Sequence, residues 1–579
     1  MSETHPRPRN PRKPGNPRKP RGRAWACAAA AFALAGCRSP LAAPPPVDPG
    51  LRERLQAVDP VRLSDYAAPA GTPGGASGGG ATEEAAPGPP PEPPREREVS
   101  LEQARAWALR DNLDLAAALV DPAAADAEAG VEEARFEAVL FGSGAFDTRE
   151  RPVATQLQGN DTENLDGRLG VRVPLRTGGL VEVDYGTNRF ETDNQFATLN
   201  PSFSAGLGVS ISQPLLRGGG VWANVAPIRV AQLNAQAVSA RTRLEVIRVV
   251  AEVDRTYWSL YEARRQLEVR EQQHELALGQ LARARRLVAA GELAQTEILR
   301  AQAGVADGLE AIIAAEQTLR VRERTLKRLL NQEGLPIDGP TALVPATPPD
   351  PAAPDLDPAR VLAAALGGRA ELLELELNVA AESLRVGLAR NGLLPLATVD
   401  YRYNQDGLGT GFGDAGRDAF DGDASGHRVG LRVEVPLGNQ AAESRYRAAV
   451  LARLQRLSTR AQRERQITQE VYDALDALAT SWQRLLAARQ SALLEARVVE
   501  AERRQFELGL RTGTEVLEAQ AALADARSRE ASALARHQIA RVDVAFATGT
   551  VLGHARIRWE PRDPTGGQTQ TLDVLLGDR

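Results

Sequence analysis

The residues able to do chemistry in this chain are few. Its five histidines, His5, His274, His427, His537 and His554, are scattered, read as single surface or helix residues, and share no metal-ligand spacing with either cysteine. No nucleophile, base and orienting group stand together, so neither catalysis nor a cofactor is expected. The glycines of GLGTGFG at 407–413 suggest a phosphate loop only superficially, because GDAGRDAFDGDASG then reads as an acidic glycine-rich loop and not a helix; as a divalent-ion site it is a minor reading. What remains is charge at defined spacing. Glu515 and Glu518, three apart, share a helix face close to Arg511. Alone, such residues are solvated helix charges near a turn.

Their setting makes them more informative. GELAQTEILRAQ, starting at Gly291, returns 218 residues later as GLRTGTEVLEAQ, starting at Gly509. Glu297 matches Glu515 and Gln302 matches Gln520 in this alignment, so an internal duplication organises the chain. Each copy lies in a long proline-free stretch, the first opened by Pro227 as a first-turn proline and running to Pro336, the second running from Pro436 to Pro561. Helices of about 93 Å over 228–289 and about 103 Å over 440–508 are expected at 1.5 Å per residue, each reversing at its glycine. Rods of that length need partner helices for apolar positions such as Ile247, Val250, Val253, Tyr257 and Leu260.

Ahead of each long helix the pattern turns to alternation, over about 140–214 and about 395–436. Four strands are expected in the first copy and two in the second, because the offset between copies falls from 255 to 222 across this region. The surplus of about 33 residues reads as an added hairpin around Gly178-Gly179. Ten of the 25 aromatic residues fall here, among them Phe141, Phe146, Tyr185, Phe190, Phe203, Tyr401 and Tyr403, about twice their share by length. Aromatics bounding alternating strands fit the girdles of a membrane barrel, and equally the cross-strand pairs of a soluble hairpin. No apolar run reaches 18 residues, so any crossing of a membrane must be made by strands of a closed barrel.

The N-terminus carries a basic run, Arg7 to Arg23, an apolar run, Ala24 to Ala35, and the tetrapeptide Leu34-Ala35-Gly36-Cys37. Together these resemble a bacterial lipoprotein signal, which implies cleavage before Cys37 and lipidation of that residue. Removing residues 1–36 moves the formal charge from -5 to about -12, so a nucleic-acid partner is not expected. The only other cysteine, Cys27, lies in the same segment, which excludes a disulfide framework. The Pro/Gly-rich residues 37–98 form a tether, and folding is expected to begin at the capping box of SLEQ, Ser100 with Gln103. Repeat 1 then covers 99–335 with its helical hairpin at about 226–331, a linker covers 336–354, repeat 2 covers 355–550 with its hairpin at about 438–548, and a tail covers 551–579.

Signal, tandem repeat, strand pair, long hairpin and turn motif, in that order over residues 100–550, resemble the outer-membrane efflux protein family, the TolC-like exit ducts, of lipoprotein type. The resemblance implies an α+β membrane protein in which a homotrimer closes a transmembrane β-barrel continued by a periplasmic α-helical barrel. It implies a passive duct, a periplasmic adaptor and an inner-membrane pump as partners, and outer-membrane lipid around the barrel. It places Arg511, Glu297, Glu515 and Glu518 at the periplasmic entrance, with Arg511 able to pair with Glu297. It also assigns adaptor docking to the turns, Leu287, Val288, Gly291 and Leu293 in one and Leu508, Gly509, Leu510 and Thr512 in the other. A non-conducting periplasmic coiled-coil scaffold or adaptor lipoprotein is the competing expectation, weakened by the duplicated strand-helix unit.

Overall fold

A computed structural model describes residues 96–152, 159–292, 294–422, 424–508 and 510–558. Cys37 with its signal and tether, Leu293, Gly509 and the last 21 residues lie outside them.

The chain begins with strand β1 (Glu96–Val99) and helices α1 (Leu101–Asp111), α2 (Leu113–Ala118) and α3 (Asp121–Glu133). The capping box at the start of α1 is formed: Gln103 N donates to Ser100 Oγ at 3.2 Å, and Ser100 N donates to Gln103 Oε1 at 3.0 Å. Four strands follow, β2 (Val139–Glu150), β3 (Asp161–Pro174), β4 (Leu180–Thr192) and β5 (Ser202–Pro214), and lead into α4 (Val221–Ala289) and α5 (Thr296–Leu330). The pattern restarts with β6 (Ala342–Pro345), α6 (Pro358–Gly368) and α7 (Ala370–Asn391). It continues through β7 (Leu396–Gly409), α8 (Phe412–Asp421) and β8 (Ser425–Glu434) into α9 (Gln440–Glu507) and α10 (Gly513–Ala547), and closes with α11 (Val551–His554).

The two hairpins match closely: the long arms have 69 and 68 residues, about 100 Å each, and the short arms 35 each. On the half nearer the strands the long helices pack in the order α3, α4, α7, α9; on the other half the order is α5, α4, α10, α9. Between α9 and α10 the buried positions Val471, Leu478, Leu485, Ala492 and Val499 recur every seven residues, a coiled-coil seam.

Where the halves meet, β1 and β6 pair in parallel and cover the main core, in which Val250, Val253, Tyr257 and Leu260 of α4 meet Ala104, Leu326, Leu343 and Val542. Tyr257 ties this belt together, donating its hydroxyl to Val99 O at 3.0 Å and accepting from Thr347 N at 2.9 Å. Beneath lies a buried two-pronged ion pair, Arg105 to Asp254, with both contacts at 2.7 Å.

Several details depart from expectation. Helix α4 starts at Val221, so Pro227 lies inside it, at the cost of one intrahelical hydrogen bond in a helix held by its neighbours. Residues 336–354 are more than a connector: they carry β6, and Asp350 O accepts from Gln538 Nε2 at 2.8 Å. Of the two readings for single histidines, surface or helix, His537 takes the second: it lies on α10 and is fully buried, with Nε2 3.1 Å from Ala352 O and Nδ1 3.0 Å from Ser481 Oγ, and burial pulls its pKa down.

Helix α8 also forms where a loop was expected after GLGTGFG. Ala415 and Ala419 are fully buried against Ala205 of β5, and the bare backbone at Gly407 and Gly409 admits the helix; a methyl group at Gly407 would lie 2.2 Å from Ala415 O. Phe412 packs edge-on against Phe203, and Phe420 stacks on Tyr185. Placement of Phe412, Ala415, Ala419 and Phe420 at i, i+3, i+7 and i+8, one face of a helix, outweighs the local glycines.

Candidate functional site

Two regions gather the residues singled out by the sequence: the six-stranded sheet at one end of the long helices and the paired hairpin turns at the other.

The sheet is antiparallel in the order β2-β3-β4-β5-β7-β8, so the added hairpin lies within it and β2 and β8 form its edges. Register assigns every side chain to one of two faces. One face carries Leu140, Phe146, Leu169, Val171, Val183, Tyr185, Val209, Ile211, Tyr401, Val429 and Leu431, and much of it is bare in the single chain. The other carries Asn164, Asp166, Arg168, Arg172, Glu182, Asp184, Asn188, Arg402, Asn404 and Asp406. On this polar face Arg168 contacts Asp184 at 3.0 Å and Glu182 at 2.9 Å, and Arg402 reaches Asp184 from β7 at 3.4 Å. A concave hollow lined by Ser143, Asp166, Arg168, Asn188 and Asp406 lies on the same side. The sheet therefore curves with its polar face inside and its apolar face outside. Of the expected girdle, Phe146, Tyr185, Phe203, Tyr401 and Tyr403 stand on the outer face, whereas Phe141 and Phe190 stand on the inner one, Phe141 5.1 Å from the Arg172 guanidinium. Alternation alone assigns those two correctly, where aromatic composition does not.

At the other end the chain reverses twice. In the first turn Gly291 adopts φ +80°, a conformation costly for a residue with Cβ, and Glu292 N reaches back to Leu287 O at 2.9 Å. In the second, Leu510 N reaches Gln505 O at 2.9 Å. The turns are unequally dressed. Leu287 and Val288 are half-buried, whereas Leu508 and Leu510 are 74% and 72% exposed. Phe506 lies under the Arg283 guanidinium at 4.6 Å and lines a small cleft with Leu287, Glu297 and Arg300, which joins the two hairpins.

The charges are distributed unevenly as well. Arg511 donates to the Glu515 carboxylate and to Gln505 Oε1 at 3.0 Å, and it lies 3.5 Å from Glu502. Thr512, the N-cap of α10, donates to Glu515 Oε2 from its N–H at 2.7 Å and from its hydroxyl at 3.1 Å. These bonds hold Glu515 below the ordinary carboxylate range, first the Thr512 N–H and then Arg511, while Glu515 raises Arg511. Glu518 is exposed on the next turn. Glu297 instead accepts from Arg300 at 2.6 Å, so the expected pairing of Arg511 with Glu297 is not made within one chain. The reason is local: Glu515 is only four residues from Arg511 and already oriented by the cap. Glu502, Gln505 and Arg283 join the site although the sequence did not single them out; Glu502 and Gln505 stand three apart on the last turns of α9, whereas Arg283 comes from α4 and meets the site only in three dimensions.

Among the described residues no group of three or more His, Cys, Asp or Glu could hold a metal ion, and no helix is long and apolar enough to cross a membrane.

The model of one protein family, outer membrane efflux protein, matches residues 180–332 and 361–550. Its first segment begins at the first residue of β4, leaving β2 and β3 outside. A membrane protein from Pseudomonas aeruginosa is similar in structure, with a TM-score of 0.60 and 17% identity over 81% of this chain and 92% of that one. The Campylobacter jejuni CmeC outer membrane channel gives 0.58 and 15% over 82% and 88%, and the open Neisseria gonorrhoeae MtrE outer membrane channel gives 0.56 and 14% over 78% and 89%. At these identities the likeness is one of fold. No curated protein sequence matches significantly.

Proposed function

This chain belongs to the outer membrane efflux protein family, and on that premise we propose that it is an outer-membrane exit duct, a homotrimer that passes substrates handed over by an inner-membrane pump and a periplasmic adaptor. It would serve a tripartite efflux or type I secretion system, with the sheet in the outer membrane, the helices in the periplasm and Cys37 as lipid anchor.

The observation that carries this reading is that all layers end on the same two flanks. The sheet ends at β2 and β8, the neighbouring helical layer at α3 and α9, and the distal layer at α5 and α9. An open strand edge cannot persist in lipid. Apolar residues mark the helical flanks too: Leu299, Leu309, Ile313 and Val321 are exposed on α5, and Tyr472, Leu486, Leu493 and Leu494 on α9. One flank of a copy against the other flank of the next satisfies all three layers at once, and a ring results. With an apolar outer face and a polar inner face, the ring is a water-filled pore in a membrane.

In the trimer Glu515, Glu518, Arg511 and Glu297 would surround the periplasmic entrance, where repeated carboxylates favour cations. Leu508, Leu510 and Thr512, with Gly509, form the stronger candidate docking turn for the adaptor; Leu287, Val288 and Gly291, with Leu293, form the other. Fractionation and mass measurement test the assembly. A lipid-labelled trimer in outer membranes, whose label is lost in Cys37→Ser, is expected; a monomer in the soluble periplasm would overturn the reading.

A further inference from the structure

We propose that the two strands added to the first strand region are channel wall, so that the trimer closes an eighteen-stranded barrel about as wide as the helical tunnel it continues. This rests on the trimeric duct reading above.

The added strands are central in the sheet. β3 is registered along its whole length, to β2 from Asp161 to Arg172 and to β4 from Thr162 to Pro174. Their two faces continue those of the neighbouring strands without a break: Leu169, Val171 and Val183 fall in line with Val209 and Ile211, and Arg172, Glu182 and Asp184 fall in line with Arg402. A hairpin standing clear of the membrane would have no reason to keep a bare apolar face, yet Leu169, Val171 and Val183 lie side by side on β3 and β4 and are all exposed in the single chain.

The polar face also stitches the addition to the strands of the second repeat. The Arg402 to Asp184 contact crosses over β5 at Gly208, where a methyl group would stand 2.7 Å from Arg402 Nη2 and 2.8 Å from Asp184 Oδ1. Gly208 keeps open the path of an ion pair between β4 and β7. The β3–β4 turn is anchored where the sheet meets the helices: Gly220 N and Gln213 Nε2 donate to Thr177 O at 2.9 and 3.0 Å.

Widths agree as well. Six strands spaced about 4.8 Å and tilted about 40° cover an arc of about 38 Å. Four helices side by side at about 9 Å cover about 36 Å, and four helices is what each level of the chain provides. Four strands would cover only about 25 Å, forcing the wall to taper toward the outside. Three copies with six strands each give a barrel about 36 Å across between backbones, against about 24 Å for twelve strands. Barrels of sixteen to eighteen strands hold an open aqueous channel. The outlet then imposes no narrowing of its own, cargo size is set at the hairpin tips, and bulky solutes become permitted substrates.

The chain has no cysteine beyond Cys27 and Cys37, both ahead of the described residues, so single cysteines in the strands can be read against that parent. Leu169→Cys and Val171→Cys on the outer face of β3, Asn164→Cys and Arg172→Cys on its inner face, and Val209→Cys and Ser210→Cys on β5 would be placed in liposome-embedded trimers. Each would be probed with a membrane-impermeant maleimide and, after labelling in detergent with a fluorophore, by quenching with brominated lipid. β3 is expected to alternate as β5 does, positions 169 and 171 being lipid-quenched and shielded by at least tenfold in maleimide rate, and 164 and 172 reacting freely. If β5 alternates while all four β3 positions react alike without quenching, the added strands lie outside the wall and the inference fails with the duct intact. If β5 does not alternate, the barrel itself is absent and both readings fall.

Discussion

Glu515 does more than carry charge to the end of a helix. Its carboxylate receives the Thr512 N–H and hydroxyl and the Arg511 guanidinium, so it caps α10 and holds the second turn in shape. Because these bonds lower its pKa, the cap is intact above the ordinary glutamate value of about 4.3 and is lost as pH falls through the lowered folded value. Amide-exchange protection in the first turn of α10 should therefore be constant from pH 7 to about 5 and weaken only below about 4.3, whereas Glu515→Gln should show weaker protection without that acid transition. A midpoint near 6 in the wild type would rule out this carboxylate as the titrating group. In sequence Glu297 and Glu515 are equivalents, but the structure gives them different partners, Arg300 and Arg511. Side-chain pairing depends on which cation is nearest in space, and the alignment of two motifs does not contain that.

The elements were legible in proportion to how strongly their own sequence patterns were repeated. The long hairpins follow from absent prolines and recurring apolar positions, and four strands against two follow from the shift in repeat offset. Pro227 concealed the true start of α4, and α8 was hidden because its stabilising partners, Gly407, Gly409 and Ala205, matter only once β5 and β7 lie side by side. The belt at mid-length was hidden for a related reason: β1 and β6 are four residues each, some 246 positions apart, and too short to show a period. Its ion pair gives a sharp test. Asp254→Ala leaves Arg105 buried without its partner, which should cost about 3–5 kcal/mol in urea unfolding of the detergent-solubilised protein. Replacing both residues, Arg105→Met with Asp254→Leu, should recover most of that loss. An Asp254→Ala midpoint equal to wild type would show that the belt does not limit unfolding.

At the scale of the molecule, what one chain lacks defines what it must join. The sheet has two open edges and an apolar face that is largely bare outside the patch covered by α8; the helical layers have apolar flanks in line with those edges. Ile313 of α5 is exposed on such a flank, and in the proposed trimer Ile313→Glu would force a charge into the seam and lose about 1.5–3 kcal/mol of apolar burial at each of three sites. Trimers measured by light scattering in detergent should fall apart at concentrations where the wild type holds, while helical content stays the same. Persistence of the trimer at wild-type stability would move the interface elsewhere. The central claim is conduction through that ring, with carboxylates at its mouth. The most direct measurement is the reversal potential of purified trimers in a planar bilayer under a potassium chloride gradient. A cation-selective current that loses selectivity in Glu515→Ala/Glu518→Ala is the result the account predicts; trimers that insert yet pass no current, in the wild type and in Arg511→Ala alike, would contradict it.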